Sequence, residues 1–535
     1  MNEFPKIFLI GLDGGTFRVI KPAIAEGKLP FLKDLIETGV NGVLTSTLPP
    51  ATIPAFPTIM TGLNPGKHGI FDFFVKRGRI GRVADSTLIQ GSTLWQILSR
   101  HNRKSIAINF PLTFPPESIN GIIVSGMMTP EGRDFASPKE IMNQLDELTE
   151  GYPYKFNTSL FESTPEQFLP KLLEMLNKRQ KAARFLIQEN EWDLFAILFR
   201  ASDIISHHRW ENQEEVYSIY AKIDEIIGAL LAEYPDAYVF IFSDHGFGPY
   251  DTNFHINLFL KSLGLLKVKR KTNTTTPTSK RTLRKQIIPK ILAHFGIYRS
   301  VLRNILPGKF QSILKKRLGH SIRGYIAATN LEVDTERSQA YFSATFTAET
   351  QSITINAKTP QEYRVLVNRL KQALSSLVNP ITQEKVVKTI LHRDEAYHGP
   401  FIESAPDLVL LLNEGYKATK TLSGESIFEE LPKTQGTHER EGIFLAKGPT
   451  VKHQYQIQEI ALRDLAPTIL HLMNVPIPEN IDGVVRKEIF RHDSDPAQRE
   501  PKFFSSSFEE RAKVKLTEQE QEEIKDRLRG LGYID

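Results

Sequence analysis

Lys6-Ile7-Phe8-Leu9-Ile10-Gly11-Leu12-Asp13-Gly14-Gly15 is a short, continuously apolar run that stops at an acid and two glycines. Such a run, too short for a typical helix and bounded by turn residues, reads as a buried strand. The pattern recurs twice. Trp192 to Phe199 is followed by Arg200-Ala201-Ser202-Asp203, and Ala237 to Phe242 by Ser243-Asp244-His245-Gly246. Helical patterns at 17–26, 30–38, 92–101, 165–190 and 213–233 separate these runs, with further strands at 41–47 and 104–109. Strands alternating with helices argue for an α/β fold with a parallel sheet and helices on both faces. Ligands bind at the carboxyl ends of the strands in such sheets. Asp13, Asp203 and Asp244 are therefore candidates for one shared edge.

The stretch Pro49-Pro50-Ala51-Thr52-Ile53-Pro54, running on to Ile70, places a lone hydroxyl just before a proline suited to the first turn of a helix. Unpaired N–H groups at a helix start favour an anion beside Thr52. The threonine hydroxyl can attack phosphorus if something lowers its pKa. Taken alone, the segment reads first as a helix that Thr52 merely helps to cap.

Asp203 is followed four residues on by His207, Asp244 directly by His245, and His438 sits in Thr434-Gln435-Gly436-Thr437-His438, which reads as a loop. Imidazole and carboxylate donors suit zinc and related divalent ions, and two such clusters can hold a pair. A metal pair clamps the attacking and leaving oxygens of a phosphoryl displacement and activates the hydroxyl of Thr52. Singly, Asp13-Gly14 is also a turn, Asp203 a helix cap, and each histidine a hydrogen-bonded structural residue.

The composition bounds the function. With 535 residues the chain exceeds one small core, and 40% hydrophobic with 24% charged residues is a globular balance. The long uncharged region 41–66 contains five prolines, so no span of a membrane is expected, and the N-terminus has no secretory pattern. Zero cysteines exclude disulfides, thiolate metal sites and a cysteine nucleophile, in keeping with a cytoplasmic setting. The net charge of +5 conceals an asymmetry. Residues 267–323 hold sixteen Lys and Arg and no acid, and without them 51 basic face 62 acidic residues. Apolar pairs such as Ile287/Ile288 and Ile313/Leu314 recur there, which reads as a surface insertion or flap, or as basic amphipathic helices for an anionic membrane or polyanion.

The motifs LIGLDGG, ATIPAFPTIMTGLNPGKHGI, SDIISH, FSDHGFG and TQGTHEREGIF, in this order, resemble the alkaline phosphatase superfamily, and within it the type I phosphodiesterase/nucleotide pyrophosphatase branch. RDLAPTILHLMNVPIPENIDG is similar to the closing helix and loop of that superfamily. The resemblance implies a mainly parallel sheet sandwiched by helices, a basic insertion and a helical C-terminal tail. It implies one divalent ion on Asp203, His207 and His438, a second on Asp13, Asp244 and His245, and Thr52 as nucleophile and ligand. Zinc is usual in the family, with manganese in some relatives. The Thr52-Ile53-Pro54-Ala55-Phe56 sequence lacks the sulfatase motif. Nucleotide pyrophosphatases place Asn where Ala55 stands, and Asn109 is the candidate for a polar contact to substrate instead.

The reading is thus a catalytic core over 1–265 and 325–485, the second part with a small cap region, interrupted by an insertion at 266–324 and followed by a tail at 486–535. From 351 a strand at 352–356, a helix at 360–376 and a strand at 407–412 read as resumption of the core pattern. The expected activity is two-metal hydrolysis of a phosphodiester or pyrophosphate through a phosphothreonine, acting on a small phosphate ester or nucleotide-like substrate with no specific nucleic-acid partner. The rivals are a phosphomutase or phosphotransferase, and a non-catalytic protein docked on an anionic surface.

Overall fold

The structure is a computed structural model, and describes residues 5–77, 80–154, 164–270, 331–342, 351–422, 424, 426–505 and 516–530. Its centre is a ten-stranded sheet. Ile7–Leu12 lies in the middle, parallel to Leu194–Phe199 on one side and to Tyr238–Phe242 on the other. Beyond these the sheet continues through Ser105–Ile108 and Gly121–Val124 at one end, and through Glu441–Lys447 and Val40–Thr45 at the other. Glu441–Lys447 and the short edge strand Ala136–Ser137 run antiparallel, and the other pairings are parallel. The three central strands are buried at every residue, which explains why their sequences are apolar without alternation. Close packing reaches the backbone: a Cβ on Gly11 would stand 2.7 Å from Leu198 Cδ1 and 2.9 Å from Phe242 Cζ.

Helices Phe17–Ala25, Pro30–Thr38, Leu94–Arg100, Pro165–Glu189 and Gln213–Leu231 agree with the sequence reading to within two or three residues. The region after 351 does not. Ser352–Ile355 and Leu408–Leu412 leave the large sheet and pair antiparallel in a separate four-stranded sheet with Ala340–Tyr341 and Val387–His392. Helix Pro360–Ser375 covers it through Leu366, Leu370 and Leu374, and the group has its own apolar cluster with Phe254, Phe259 and Phe428. An apolar run is compatible with either sheet; the difference lies in pairing, which composition does not encode.

A three-stranded sheet joins the two bodies, with Gly246–His255 between Gly415–Thr419 and Phe428–Glu439. The predicted loop at 434–438 is therefore the end of a twelve-residue strand. Its glycine misleads: Gly436 is there because a Cβ would stand 2.3 Å from the Phe247 ring and 2.6 Å from the Ser206 carbonyl oxygen.

Most of the basic segment lies outside the described residues. At its start Val268–Arg270 pairs antiparallel with Leu331–Val333, which lies beyond its end, in a two-stranded ribbon. The C-terminal helix Glu518–Gly530 packs Ile524 and Leu528 into the main core, and Arg527 donates to the Thr129 carbonyl (2.9 Å). No helix among the described residues is long and apolar enough to cross a membrane.

Candidate metal centre and nucleophile

Asp13 directly follows the central strand Ile7–Leu12, and Asp244 follows Tyr238–Phe242 with only Ser243 between them. Asp203 is one step further on, in the first turn of helix Ala201–Arg209, and His207 lies one turn along on the same face. His438 reaches the same edge from the neighbouring strand, directly opposite Phe247. Helix Thr52–Thr61 begins at the nucleophile candidate itself. Its N-cap is Ala51, without a side-chain cap bond, so the hydroxyl of Thr52 is not used for capping. Thr52 Oγ1 instead lies 3.3 Å from His245 Nε2 and 3.5 Å from Asp13 Oδ1.

The fold brings the scattered candidates together. One group comprises Asp203, His245 and His438, a second Asp13, Asp244 and His245, with the donor atoms of each group within 4.8 Å of one another. Asp203 Oδ1 is 3.3 Å from both His207 Nε2 and His438 Nε2. The His245 and His438 rings stack at 3.6 Å, and Phe247 packs against both of them and against His207. All three carboxylates have no solvent exposure. Asn109 stands apart: its Oδ1 accepts from the Tyr152 hydroxyl at 2.9 Å, and it makes no hydrogen bond to Thr52 or to the Asp/His set.

Backbone carbonyls set the tautomers. His245 Nδ1 donates to the Gly246 carbonyl (3.0 Å) and His438 Nδ1 to the Pro50 carbonyl (3.1 Å). A proton on Nδ1 leaves a lone pair on Nε2, the arrangement of metal-ligating histidines. In both residues that Nε2 faces a buried carboxylate. Asp244 Oδ2 is buried with no hydrogen-bond partner, an expensive state for an anionic oxygen unless a cation meets it. The donor set and its orphaned oxygen fit divalent ions.

The electrostatics agree. Burial pushes the Asp244 carboxyl well up, with the Asp13 charge adding to the effect. Burial also raises Asp13, to about 6, with Asp203 beside it and Arg200 opposing. Burial works against the charge on Asp203 too, but the His207 and His438 imidazoles outweigh it and hold this carboxylate well below its usual range. Burial lowers His245 to about 3 and shifts His207 downward. Neutral imidazoles that resist protonation, beside carboxyls whose crowded charge goes unrelieved without solvent, make a site tuned for cations.

One participant escaped the sequence reading. Arg200 is buried with its Nε on Asp13 Oδ2 (2.7 Å) and Nη2 3.8 Å from Asp203 Oδ2. An arginine closing an apolar run three residues before Asp203 was the available signal.

A family model for type I phosphodiesterase/nucleotide pyrophosphatase matches residues 7–442. Among solved structures, phosphonoacetate hydrolase from Sinorhizobium meliloti 1021, in complex with phosphonoformate, is similar at TM-score 0.52 and 14% identity. The match covers 88% of this chain and 95% of that one. Murine ectonucleotide pyrophosphatase/phosphodiesterase 5 matches at TM-score 0.48 and 13% identity, over 88% of this chain and 96% of that chain. At 14% identity the likeness to phosphonoacetate hydrolase is one of fold. Comparison with curated proteins gave no match.

Proposed function

The chain belongs to the type I phosphodiesterase/nucleotide pyrophosphatase family and is a phosphoester hydrolase, and from that premise we propose a two-metal reaction through a phosphothreonine at Thr52. Asp203, His207 and His438 would hold one divalent ion, and Asp13, Asp244 and His245 the other, with Thr52 as nucleophile and ligand. Nitrogen and carboxylate donors favour zinc, with manganese as the alternative. Bound there, the ions supply Lewis-acid stabilisation of the phosphoryl oxygens and lower the pKa of coordinated hydroxyls.

The chain's own groups account for the remaining steps. The Thr52 proton has an acceptor in reach in Asp13 Oδ1, which keeps a lone pair beyond the one a metal would use. The lone pair of His245 Nε2, 3.3 Å from Thr52 Oγ1, would be taken up by the ion. The Thr52 oxygen attacks phosphorus, the alcohol or phosphate on the far side departs, and water then cleaves the phosphothreonine. The first turn of helix Thr52–Thr61 presents backbone N–H groups without intrahelical partners to the phosphoryl oxygens. Residues 1–265 and 325–485 form the catalytic body in this reading, and the substrate is a small phosphodiester or pyrophosphate.

The position of Thr52 Oγ1 beside Asp13 and His245 supports the reading most directly. Thr52→Ala is expected to abolish turnover of bis(4-nitrophenyl) phosphate while retaining bound metal. Turnover in isotopically labelled water separates hydrolysis from transfer to another alcohol, since only hydrolysis puts the label into the phosphate product. Full activity of the alanine variant would remove the nucleophile.

A further inference from the structure

Between the large sheet and the two smaller ones lies a cavity of about 390 Å3, a size that holds a small ligand. Pro50 and His438 are in its wall, so it adjoins the Asp203–His438 cluster. Two buried polar atoms of the wall have no hydrogen-bond partner, and two of its cations have no ion pair among the described residues. Thr437 Oγ1 and Gln351 Oε1 are buried, their residues 6% and 5% exposed, and neither has a hydrogen-bond partner. Lys388, from the four-stranded sheet, and Arg440, from the other wall, make no ion pair with an acid among the described residues. Arg440 offers only its Nε to the Ser46 carbonyl, at 3.4 Å.

The acids of the cleft are mostly accounted for. Arg18 pairs with both Glu414 (2.6 Å) and Glu439 (3.1 Å), which leaves solvent-exposed Glu441 beside Arg440. One aromatic side chain, Tyr416, is in the wall, and its hydroxyl meets Thr382 Oγ1 at 3.1 Å. The surroundings suit a hydroxylated anion better than a flat ring. Gln351 Oε1 requires a donor, Thr437 Oγ1 takes either role, and the two cations require negative charge.

Resting on the phosphohydrolase reading above, we propose that this cleft binds the substituent on the scissile phosphoryl group, and that the substituent is a phosphorylated polyol or sugar. Its hydroxyls satisfy Gln351 and Thr437, and its second phosphate lies between Lys388 and Arg440.

Two substrates of the metal-loaded, full-length protein test this. They are bis(4-nitrophenyl) phosphate and the 4-nitrophenyl ester of glycerol 1,3-bisphosphate, whose substituent carries a hydroxyl and a further phosphate. The second is expected to show a KM about tenfold lower, and Lys388→Met, Arg440→Met and Thr437→Val each to shrink that difference severalfold. Equal losses on both esters, or no difference in the wild-type protein, overturn the subsite. Calorimetry reads the cleft without turnover: glycerol 1,3-bisphosphate should bind more tightly than inorganic phosphate, and Lys388→Met should erase the difference. Equal binding of the two overturns the proposal. Selective binding with neither ester cleaved upholds the cleft and removes the hydrolase reading alone.

Discussion

Arg200 Nε donates to Asp13 Oδ2 across 2.7 Å, and this contact divides the work of one carboxylate between its two oxygens. With Oδ2 held, Oδ1 faces Thr52 Oγ1 and His245 Nε2, each at 3.5 Å. The orientation of a candidate ligand is thus set by a guanidinium held on its other oxygen. Arg200→Met is expected to weaken zinc binding by about 10- to 100-fold, the usual cost of losing a group that orients a ligand. Arg200→Lys, a point charge without the planar fork, should recover part of it. Calorimetric zinc titration measures both, and unchanged affinity in the methionine variant would show that Asp13 needs no such support.

Three carboxylates share a volume without solvent, and cations relieve that cost. Chelation is expected to lower the melting temperature, and added zinc or manganese to restore it, with the gain rising with metal concentration as mass action requires. Asp244→Asn should reduce the metal-dependent part of that gain. A melting temperature indifferent to chelator would argue against metal at these groups.

His68 supplies a pH dependence away from the metal centre. Its Nδ1 accepts from the Ile70 N–H (3.2 Å), so Nε2 carries the proton and donates to Thr58 Oγ1 (3.0 Å). Burial lowers its pKa from 6.5 to about 3, with the Asp482 charge opposing. The unfolded chain therefore binds the extra proton between pH 6.5 and 3, and folding stability from this group is lost as pH falls through that window. The slope is up to about 1.4 kcal/mol per pH unit. Denaturant titrations at pH 7 and pH 5 should show a smaller difference for His68→Gln than for the wild type.

Gly436→Ala probes the strand that the sequence suggested was a loop. The new Cβ would meet the Phe247 ring and the Ser206 carbonyl, and overpacking of this kind costs roughly 1–3 kcal/mol. His438 is two residues away, so zinc affinity should fall together with stability. A variant of normal stability and metal content would mean that the strand relaxes without moving the histidine.

The large sheet was legible because its central strands are buried on both faces, and burial leaves its mark as apolar runs such as Ile7–Leu12 and Leu194–Phe199. Asp13 and Asp244 could be read for the same reason: an acid ending such a run stands out. Arg200 carried less signal, because its meaning depends on Asp13, 187 residues earlier in the chain. The small sheet was misassigned to the core since Ser352–Ile355 and Leu408–Leu412 have the composition of core strands but different partners. Thr437, Gln351, Lys388 and Arg440 are ordinary residues in sequence. What sets them apart is that Thr437 and Gln351 keep a buried polar atom without a hydrogen bond, and Lys388 and Arg440 no ion pair among the described residues, which only a fold can display.

The strand Phe428–Glu439 has one end in the smaller apolar cluster, at Phe428, and the other at the metal centre, at His438. One continuous strand, paired with Gly246–His255 at both ends although its register shifts between Glu430 and Gln435, therefore ties the wall of the cleft to a candidate ligand. Remodelling the four-stranded sheet to suit a new substrate pulls on His438 through that strand, so insertions are better tolerated at the Val268–Arg270/Leu331–Val333 ribbon, which carries none of the candidate ligands.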